Sequence, residues 1–327
     1  MLFIYMMKEV CVAILDTGIE YNNLLKNNVI EGFGFNNGIK TDDYNDENGH
    51  GTKCANIIRM YCDDKVKFII AKVQNENMEG YERDIRFALN YLKDFDIDII
   101  HMSLAMKRCN YLERLNELVD YYKNRKVIII SSQYNKSEEI CYPAHLKGVI
   151  GVRGIECINE RSFYYFENRS LNIECSNLPI LVRSLKNKIE MFGGNSKAAA
   201  AFTGLVCNYM KSYDNLAIEE ILERFSDDKK HNSDLASCQK RYSKEELNRY
   251  IKYIKKIVVT LLRKKEIDEY TNLYEIGLNN TNIDILLRKI GKQYEISNYE
   301  EVFSYYDLMN IYNISECIYR NQRGDKL

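Results

Sequence analysis

Three side chains of catalytic type lie far apart in the sequence, each inside a short segment rich in small residues. They are Asp16 in VAILDTGI (residues 12–19), His50 in NGHGTKCANII (48–58) and Ser196 in GGNSKAAAAFTGLV (193–206). A serine hydroxyl becomes an effective nucleophile when a neutral imidazole takes its proton, and a carboxylate behind the imidazole fixes its tautomer. Together these residue types predict acyl transfer by a Ser-His-Asp triad.

The elements that must position these side chains alternate between short apolar runs and longer helical patterns. Five runs are predicted to be buried strands: Val10–Leu15, Val66–Val73, Ile97–Leu104, Val127–Ser132 and Val149–Val152. Nearly continuous apolar runs are typical of a parallel sheet covered on both faces. Residues 81–95 and 112–124 have the pattern of amphipathic helices. This alternation predicts a doubly wound, mainly parallel α/β sheet, whose functional residues lie at the carboxyl ends of its strands.

The three segments resemble the motifs of the subtilisin-like serine peptidases, the subtilases. VAILDTGI is similar to V-A-V-I-D-T-G-I, GHGTKCANII to H-G-T-x-x-A-G-I-I, and GNSKAAAAFTGLV to G-T-S-M-A-x-P-H-V-A-G. The order Asp, His, Ser along the chain is also that of the subtilisins. The resemblance covers about residues 8–225 and implies a serine endopeptidase in which Asp16, His50 and Ser196 form the triad.

The same resemblance implies an oxyanion hole and a substrate-binding edge. VIIISSQYN (127–135) ends with Asn135 where the family has a side-chain donor to the oxyanion, and the Ser196 backbone N–H is the second donor. HMSLA (101–105) is similar to N-M-S-L-G, whose backbone pairs with the substrate as an added strand. The resemblance therefore assigns substrate binding to Ser103, Leu104, Ala105 and Tyr134, and implies a cis peptide bond before Pro143.

Several flanking residues depart from the family pattern. Tyr134 replaces Gly, Asn195 replaces Thr, Ala200 replaces Pro, Asn56 replaces Gly and His101 replaces Asn. None of them removes a triad or oxyanion group, so we expect an active enzyme with altered specificity. The alternative is a catalytically inactive scaffold that binds peptides. We expect His101 to be a buried, hydrogen-bonded histidine rather than a second base.

No cofactor or metal is expected from the sequence. Asp42, Asp43, Asp46 and Glu47 lack the ordered spacing of a calcium loop and are interpreted as a solvated acidic turn. His50 and Cys54 have helical i, i+4 spacing, but no further metal ligand follows at a suitable distance.

Composition limits the function classes and the location. The 46 basic and 47 acidic residues give a formal charge of −1, which does not favour nucleic acid as a partner. No apolar run has the length of a membrane span, and the opening MLFIYMMKEV is too short for a signal peptide. Ten cysteines without a C-x-x-C pair are expected to be mostly buried free thiols, which predicts a cytoplasmic protein.

A second domain is predicted after the peptidase domain (1–228) and a polar linker (229–241). Residues 242–327 have helical patterns throughout, and NLYEIGLNNTNIDILLRKIGKQYEI (272–296) resembles the centre of acyl or peptidyl carrier proteins. Asn279 and Asn280 stand where those proteins carry the phosphopantetheine serine. The resemblance implies an all-α docking domain without a prosthetic arm.

The recognition surface of this docking domain is predicted on a helix that begins near Thr281, whose apolar side is formed by Ile283, Leu286, Leu287 and Ile290. Similar proteins occur in clostridial peptide-maturation systems (RiPP biosynthesis), so the substrate hypothesis is the leader of a modified peptide precursor. Two alternatives remain open for residues 242–327. They are a helical extension that only caps the peptidase, or a docking unit that is the main functional part and can be deleted without loss of peptidase chemistry.

Overall fold

The protein is described from a computed structural model that covers residues 9–21, 24–62, 66–135, 139–156, 159–213, 217–226 and 242–324. These residues form two compact units. The first contains the described residues up to Leu178, together with Ser184–Asn187 and those from Gly193 to Ser226. The second contains Pro179–Arg183, Lys188–Phe192 and those from Tyr242 onward. The predicted linker, 229–241, lies outside the described residues.

The first unit is built on a nine-stranded sheet in the order β3-β2-β4-β1-β5-β6-β7-β9-β8. Its strands are β1 Val10–Asp16, β2 Val29–Asn36, β3 Ile39–Thr41, β4 Val66–Lys72, β5 Ile99–Met102, β6 Ile128–Ser132, β7 Ile150–Ile155, β8 Phe163–Tyr165 and β9 Ile173–Ser176. The inner strands pair in parallel, and only β3 and β8 at the two edges run antiparallel to their neighbours. The mainly parallel α/β sheet predicted from the sequence is confirmed.

Helices cover this sheet on both faces. They are α1 His50–Cys62, α2 Glu82–Tyr91, α3 Leu112–Asn124, α4 Asn195–Ser212 and α5 Ile218–Phe225, with 3-10 turns at Leu24–Asn27, Leu92–Asp94 and Leu185–Asn187. Ala13 and Leu15 of β1 pack in one core cluster with residues of α2 and α3. Val12 and Ile14 point to the opposite face and are equally buried. Burial on both faces explains the continuous apolar sequence of β1.

The second unit combines helices with a hairpin. The helices are α6 Lys244–Leu261, α7 Ile283–Tyr294, α8 Tyr299–Val302 and α9 Ile311–Arg323, and the antiparallel hairpin is β10 Ile180–Arg183 with β11 Ile189–Phe192. Leu181 and Ile189 of the hairpin are buried in the same core as the helices. The sequence predicted a unit of helices alone, and the hairpin corrects that expectation.

Two expectations from composition can be compared with the described residues. Eight of the ten cysteines lie among them, all eight are free thiols, and six of these are buried. In the part of the chain that is described, no helix has both the length and the apolar character that a membrane span requires.

Candidate active site

Asp16 and His50 are brought into direct contact by the ends of two elements. Asp16 is the last residue of β1, and His50 is the first residue of α1. His50 Nδ1 lies 2.7 Å from Asp16 Oδ1, and both residues are buried. The carboxylate accepts the Nδ1 proton, so the neutral ring has its lone pair at Nε2. Nε2 is therefore the nitrogen available as a base.

The charge of Asp16 also governs the protonation of His50. Burial by itself would lower the pKa of His50, but the adjacent Asp16 carboxylate, together with Cys54, outweighs burial and raises the pKa well above its usual value. A general base must be neutral to accept a proton. His50 therefore reaches its reactive form at a higher pH than an ordinary imidazole does.

Ser196 lies at the start of a helix that packs against the His50 helix. It is the second residue of α4, follows the turn residue Gly194 (φ 85°), and is 7% exposed. An added Cβ on Gly204 of α4 would lie 2.6 Å from the Ile58 carbonyl oxygen of α1, so only glycine permits this approach. This close approach packs α4, which carries Ser196, directly against α1, which carries His50.

Asn135 and Asn195 join the segment after β6 to the turn that carries Ser196. Asn135 Oδ1 accepts the Asn195 backbone N–H at 2.8 Å, which leaves the Asn135 side-chain NH₂ to donate elsewhere. The Asn195 side chain donates to the Tyr134 carbonyl at 3.2 Å and accepts the Gly154 N–H at 2.7 Å. Asn195, which the sequence showed only as a departure from the family pattern, thus holds three segments together.

Comparison with known proteins agrees with this architecture. The model of the subtilase family of peptidases (S8) matches residues 7–235, more than half of the chain. This chain belongs to the subtilase family. It is 29% identical over 233 residues to the Major intracellular serine protease of Bacillus subtilis strain 168, an alignment that covers 66% of this chain and 72% of that protein. It is 26% identical over 238 residues to the Cell wall-associated protease of the same organism, of which it spans 26%.

The buried carboxylate of Asp46 connects the segments around Asp16 and His50 in this subtilase. Asp46, expected in a solvated turn, is 2% exposed. It accepts hydrogen bonds from the Thr17 hydroxyl, from the backbone N–H groups of Asn48 and Gly49, and from both the N–H and the hydroxyl of Thr52. Asp46 therefore ties the residue after Asp16 to the first turn of α1. An Asp just ahead of a helix is typical of capping, which was the available signal.

The predicted substrate edge continues the chain beyond β5. Ser103 is buried, Leu104 contributes its side chain to the core, and Ala105 is partly exposed. Met106, the residue after Ala105, exchanges two backbone hydrogen bonds of 2.8 Å with Tyr142. The Tyr142–Pro143 peptide bond is cis, as expected. Tyr134 is partly exposed, with the Lys107 ammonium 5.0 Å from its ring centroid. The walls of the pocket for the P1 side chain are expected to include Ala105, Tyr134 and residues 136–141, and of these 136–138 lie outside the described residues.

His101 is a buried, hydrogen-bonded histidine, as predicted. Its Nδ1 lies 2.9 Å from Thr203 Oγ1 on α4, and its Nε2 lies 2.8 Å from Ser103 Oγ. Burial lowers the pKa of His101 to about 4, so the ring is neutral over the working range of an imidazole base. Ser103 Oγ in turn lies 3.2 Å from the Ser196 carbonyl oxygen.

One group of the described residues has the donor types of a metal site. The possible ligand atoms of Asp16, His50 and Cys54 all lie within 4.8 Å of one another. The sequence showed the His50–Cys54 spacing, and the structure adds Asp16 as a third residue of ligand type near them. A metal ion bound through His50 Nδ1 would replace the hydrogen bond to Asp16, so such an ion would compete with base catalysis.

Residues 272–296 of the second unit contact the hairpin. Asn280 accepts the Met191 N–H at 2.7 Å and donates to the Met191 carbonyl at 2.9 Å. Asp284 accepts the Ile189 N–H at 3.0 Å. The four apolar residues of α7 that were predicted to form a recognition surface are instead fully buried in the core of this unit, so they are not available to a partner. Ile285, on the opposite side of the helix, is 45% exposed.

Proposed function

We propose that this subtilase is a serine endopeptidase that cleaves extended peptide segments through an acyl-enzyme. Ser196 would be the nucleophile, His50 the general base and Asp16 the carboxylate that orients it. The observation that carries the proposal is the buried 2.7 Å contact between His50 Nδ1 and Asp16 Oδ1. In a family of peptidases, that contact supplies the tautomer and the raised basicity that the reaction requires.

The proposed reaction has the two steps of acyl transfer, which are acylation of Ser196 and hydrolysis of the acyl-enzyme. His50 Nε2 takes the Ser196 hydroxyl proton as the oxygen attacks the scissile carbonyl, and then returns that proton to the leaving amine. The oxyanion would be stabilised by the side-chain NH₂ of Asn135 and the backbone N–H of Ser196. Both donors lie at the positive end of the α4 dipole, which also favours the developing charge. Water activated by His50 then hydrolyses the acyl-enzyme.

The substrate would bind as an extended strand along Ser103, Leu104 and Ala105. Main-chain pairing of this kind supplies affinity without reading sequence, and side-chain pockets supply specificity. We assign Tyr134 to the wall of the pocket for the P1 side chain, where the family has glycine. Its larger side chain leaves less space there, which favours small P1 residues.

The finer parts of the proposal concern the substrate source, the location and the second unit. We propose a cytoplasmic enzyme, consistent with the free cysteines and with the intracellular relative. On the resemblance of residues 272–296 to carrier proteins, we propose a docking role for the helical domain (242–327) in addition to the peptidase domain (1–228), through a surface other than the buried apolar side of α7. The proposed substrate is a modified peptide precursor whose leader is removed. Digestion of a peptide library, read by mass spectrometry, would define the cleavage site. Cleavage confined to one residue class would be expected.

The deciding experiment is reaction with a fluorophosphonate probe, read by intact mass. Wild-type protein and a Ser212→Ala control, changed at the exposed end of the same helix, should each gain one adduct. Ser196→Ala should gain none. Absence of an adduct on folded wild-type protein would refute the peptidase proposal and favour the inactive peptide-binding scaffold.

A further inference from the structure

The residue next to the proposed nucleophile is a buried lysine. Lys197 follows Ser196 in the first turn of α4 and is 0% exposed. The family pattern G-T-S-M has methionine at this position. A lysine is almost never fully buried unless its charge is paired, because removing an ammonium group from water is costly. The partners of Lys197 therefore define a polar cluster behind the nucleophile.

Those partners lie on two other segments of the first unit. The Lys197 ammonium forms an ion pair with the Glu160 carboxylate and donates to the Ser176 carbonyl oxygen at the end of β9, 3.2 Å away. The Glu160 side chain is 30% exposed, so one side of the pair faces water.

Glu160 collects donors from three elements. Its Oε1 accepts the Ser176 hydroxyl at 3.1 Å, and its Oε2 accepts the Tyr61 hydroxyl at 3.3 Å, in addition to the Lys197 ammonium. Tyr61 belongs to α1, the helix that begins at His50. Burial raises the pKa of Tyr61, so its hydroxyl remains a donor at any physiological pH.

We propose that Glu160 and Lys197 are positioning residues that hold Ser196 in register with His50. This inference rests on the proposed peptidase function. The carboxylate connects the first turn of α4 to α1 and to β9, so it fixes the two helices that carry the nucleophile and the base. A displacement of about 1 Å at a reacting group costs on the order of 10²-fold in rate. A methionine would fill the same volume without making this connection.

The test uses Lys197→Met, Glu160→Gln and the double variant, with Arg86→Met as the control. Arg86 forms an ion pair of 3.6 Å with Glu82 on α2, and both side chains are mostly buried. The rate of labelling by a rhodamine fluorophosphonate is measured against probe concentration, which separates the maximal rate (kinact) from the half-saturating concentration (KI). The folded fraction and Tm are measured on the same samples.

Both single variants are expected to lower kinact by about 10- to 100-fold, with KI within about twofold of wild type. Because the two side chains act as one unit, kinact of the double variant should be no lower than kinact of the more impaired single variant. Arg86→Met should lower Tm and leave kinact unchanged.

Two results would overturn the inference alone. One is a kinact per folded molecule within about twofold of wild type in both single variants, which would assign the ion pair a structural role only. The other is losses that multiply in the double variant, which would show that the residues act independently. If folded wild-type protein is not labelled at all, the peptidase function is refuted and this inference with it.

Discussion

Gly204→Ala is expected to separate catalysis from stability, because this glycine sets the spacing between the helices that carry His50 and Ser196. An added Cβ would lie 2.5 Å from Tyr61 Cβ and 2.6 Å from the Ile58 carbonyl oxygen, both on α1. Ordinary contact begins near 3.4 Å. The two helices must therefore move apart by about 0.8–0.9 Å to accept one methyl group.

The cost in stability is small, since two effects oppose each other. Overpacking of this kind costs about 1–3 kcal/mol. Alanine has a better helix propensity than glycine and returns about 0.8–1.0 kcal/mol. The net loss of about 0–2 kcal/mol lowers Tm by roughly 0–8 °C in a domain of this size. A helix displacement of nearly 1 Å, in contrast, predicts a loss on the order of 10²-fold in the rate of the chemical step.

The assay is the rate of fluorophosphonate labelling per folded molecule, measured beside Tm. Ile129→Val is the matched control, because Ile129 lies in the core cluster on the other face of the sheet and the change costs about 0.5–1.5 kcal/mol. It should shift Tm by a similar amount without slowing the reaction. A Gly204→Ala protein that is labelled at the wild-type rate would refute the reasoning that α1–α4 spacing sets the geometry of the site.

Three further predictions test other parts of the site. Asn135→Ala should lower kinact by about 10²–10³-fold at constant KI, the loss known for subtilisin without its side-chain oxyanion donor; an equal rise in KI instead would indicate a binding role. The labelling rate should rise with pH as His50 becomes neutral. Asp16→Asn removes the charge that raises the pKa of His50, so the rising limb of the pH–rate profile should move to lower pH. The same variant should lose about 10⁴-fold in rate. An unmoved limb would assign it to another group. Deletion of 242–327 should lower Tm sharply, because it exposes Ile189 of the hairpin, and a fully folded, reactive truncation would show that the peptidase domain is independent.

The sequence was sufficient for features encoded within one short segment. Continuous apolar runs indicated the buried strands, and the small residues around Asp16 and His50 indicated turns at strand and helix ends. The structure places those two side chains in contact and Ser196 on the neighbouring helix. Short or partly exposed strands such as β2 and β3 escaped prediction because their apolar pattern is weak.

Residue type and order in the chain thus determined the α/β class, the candidate triad and the expected edge of the sheet. Tertiary structure alone decided which distant charges meet. Asp46 was interpreted as solvated, and the sequence indicated no partner for Lys197. Both side chains are nevertheless buried, because segments far apart in the chain supply their hydrogen bonds. The hairpin likewise belongs to the second unit, although the residues on either side of it in the sequence belong to the first, because its apolar side chains are buried in the core of the second unit. Local pattern specifies backbone conformation, whereas burial and pairing depend on the three-dimensional packing of the whole chain.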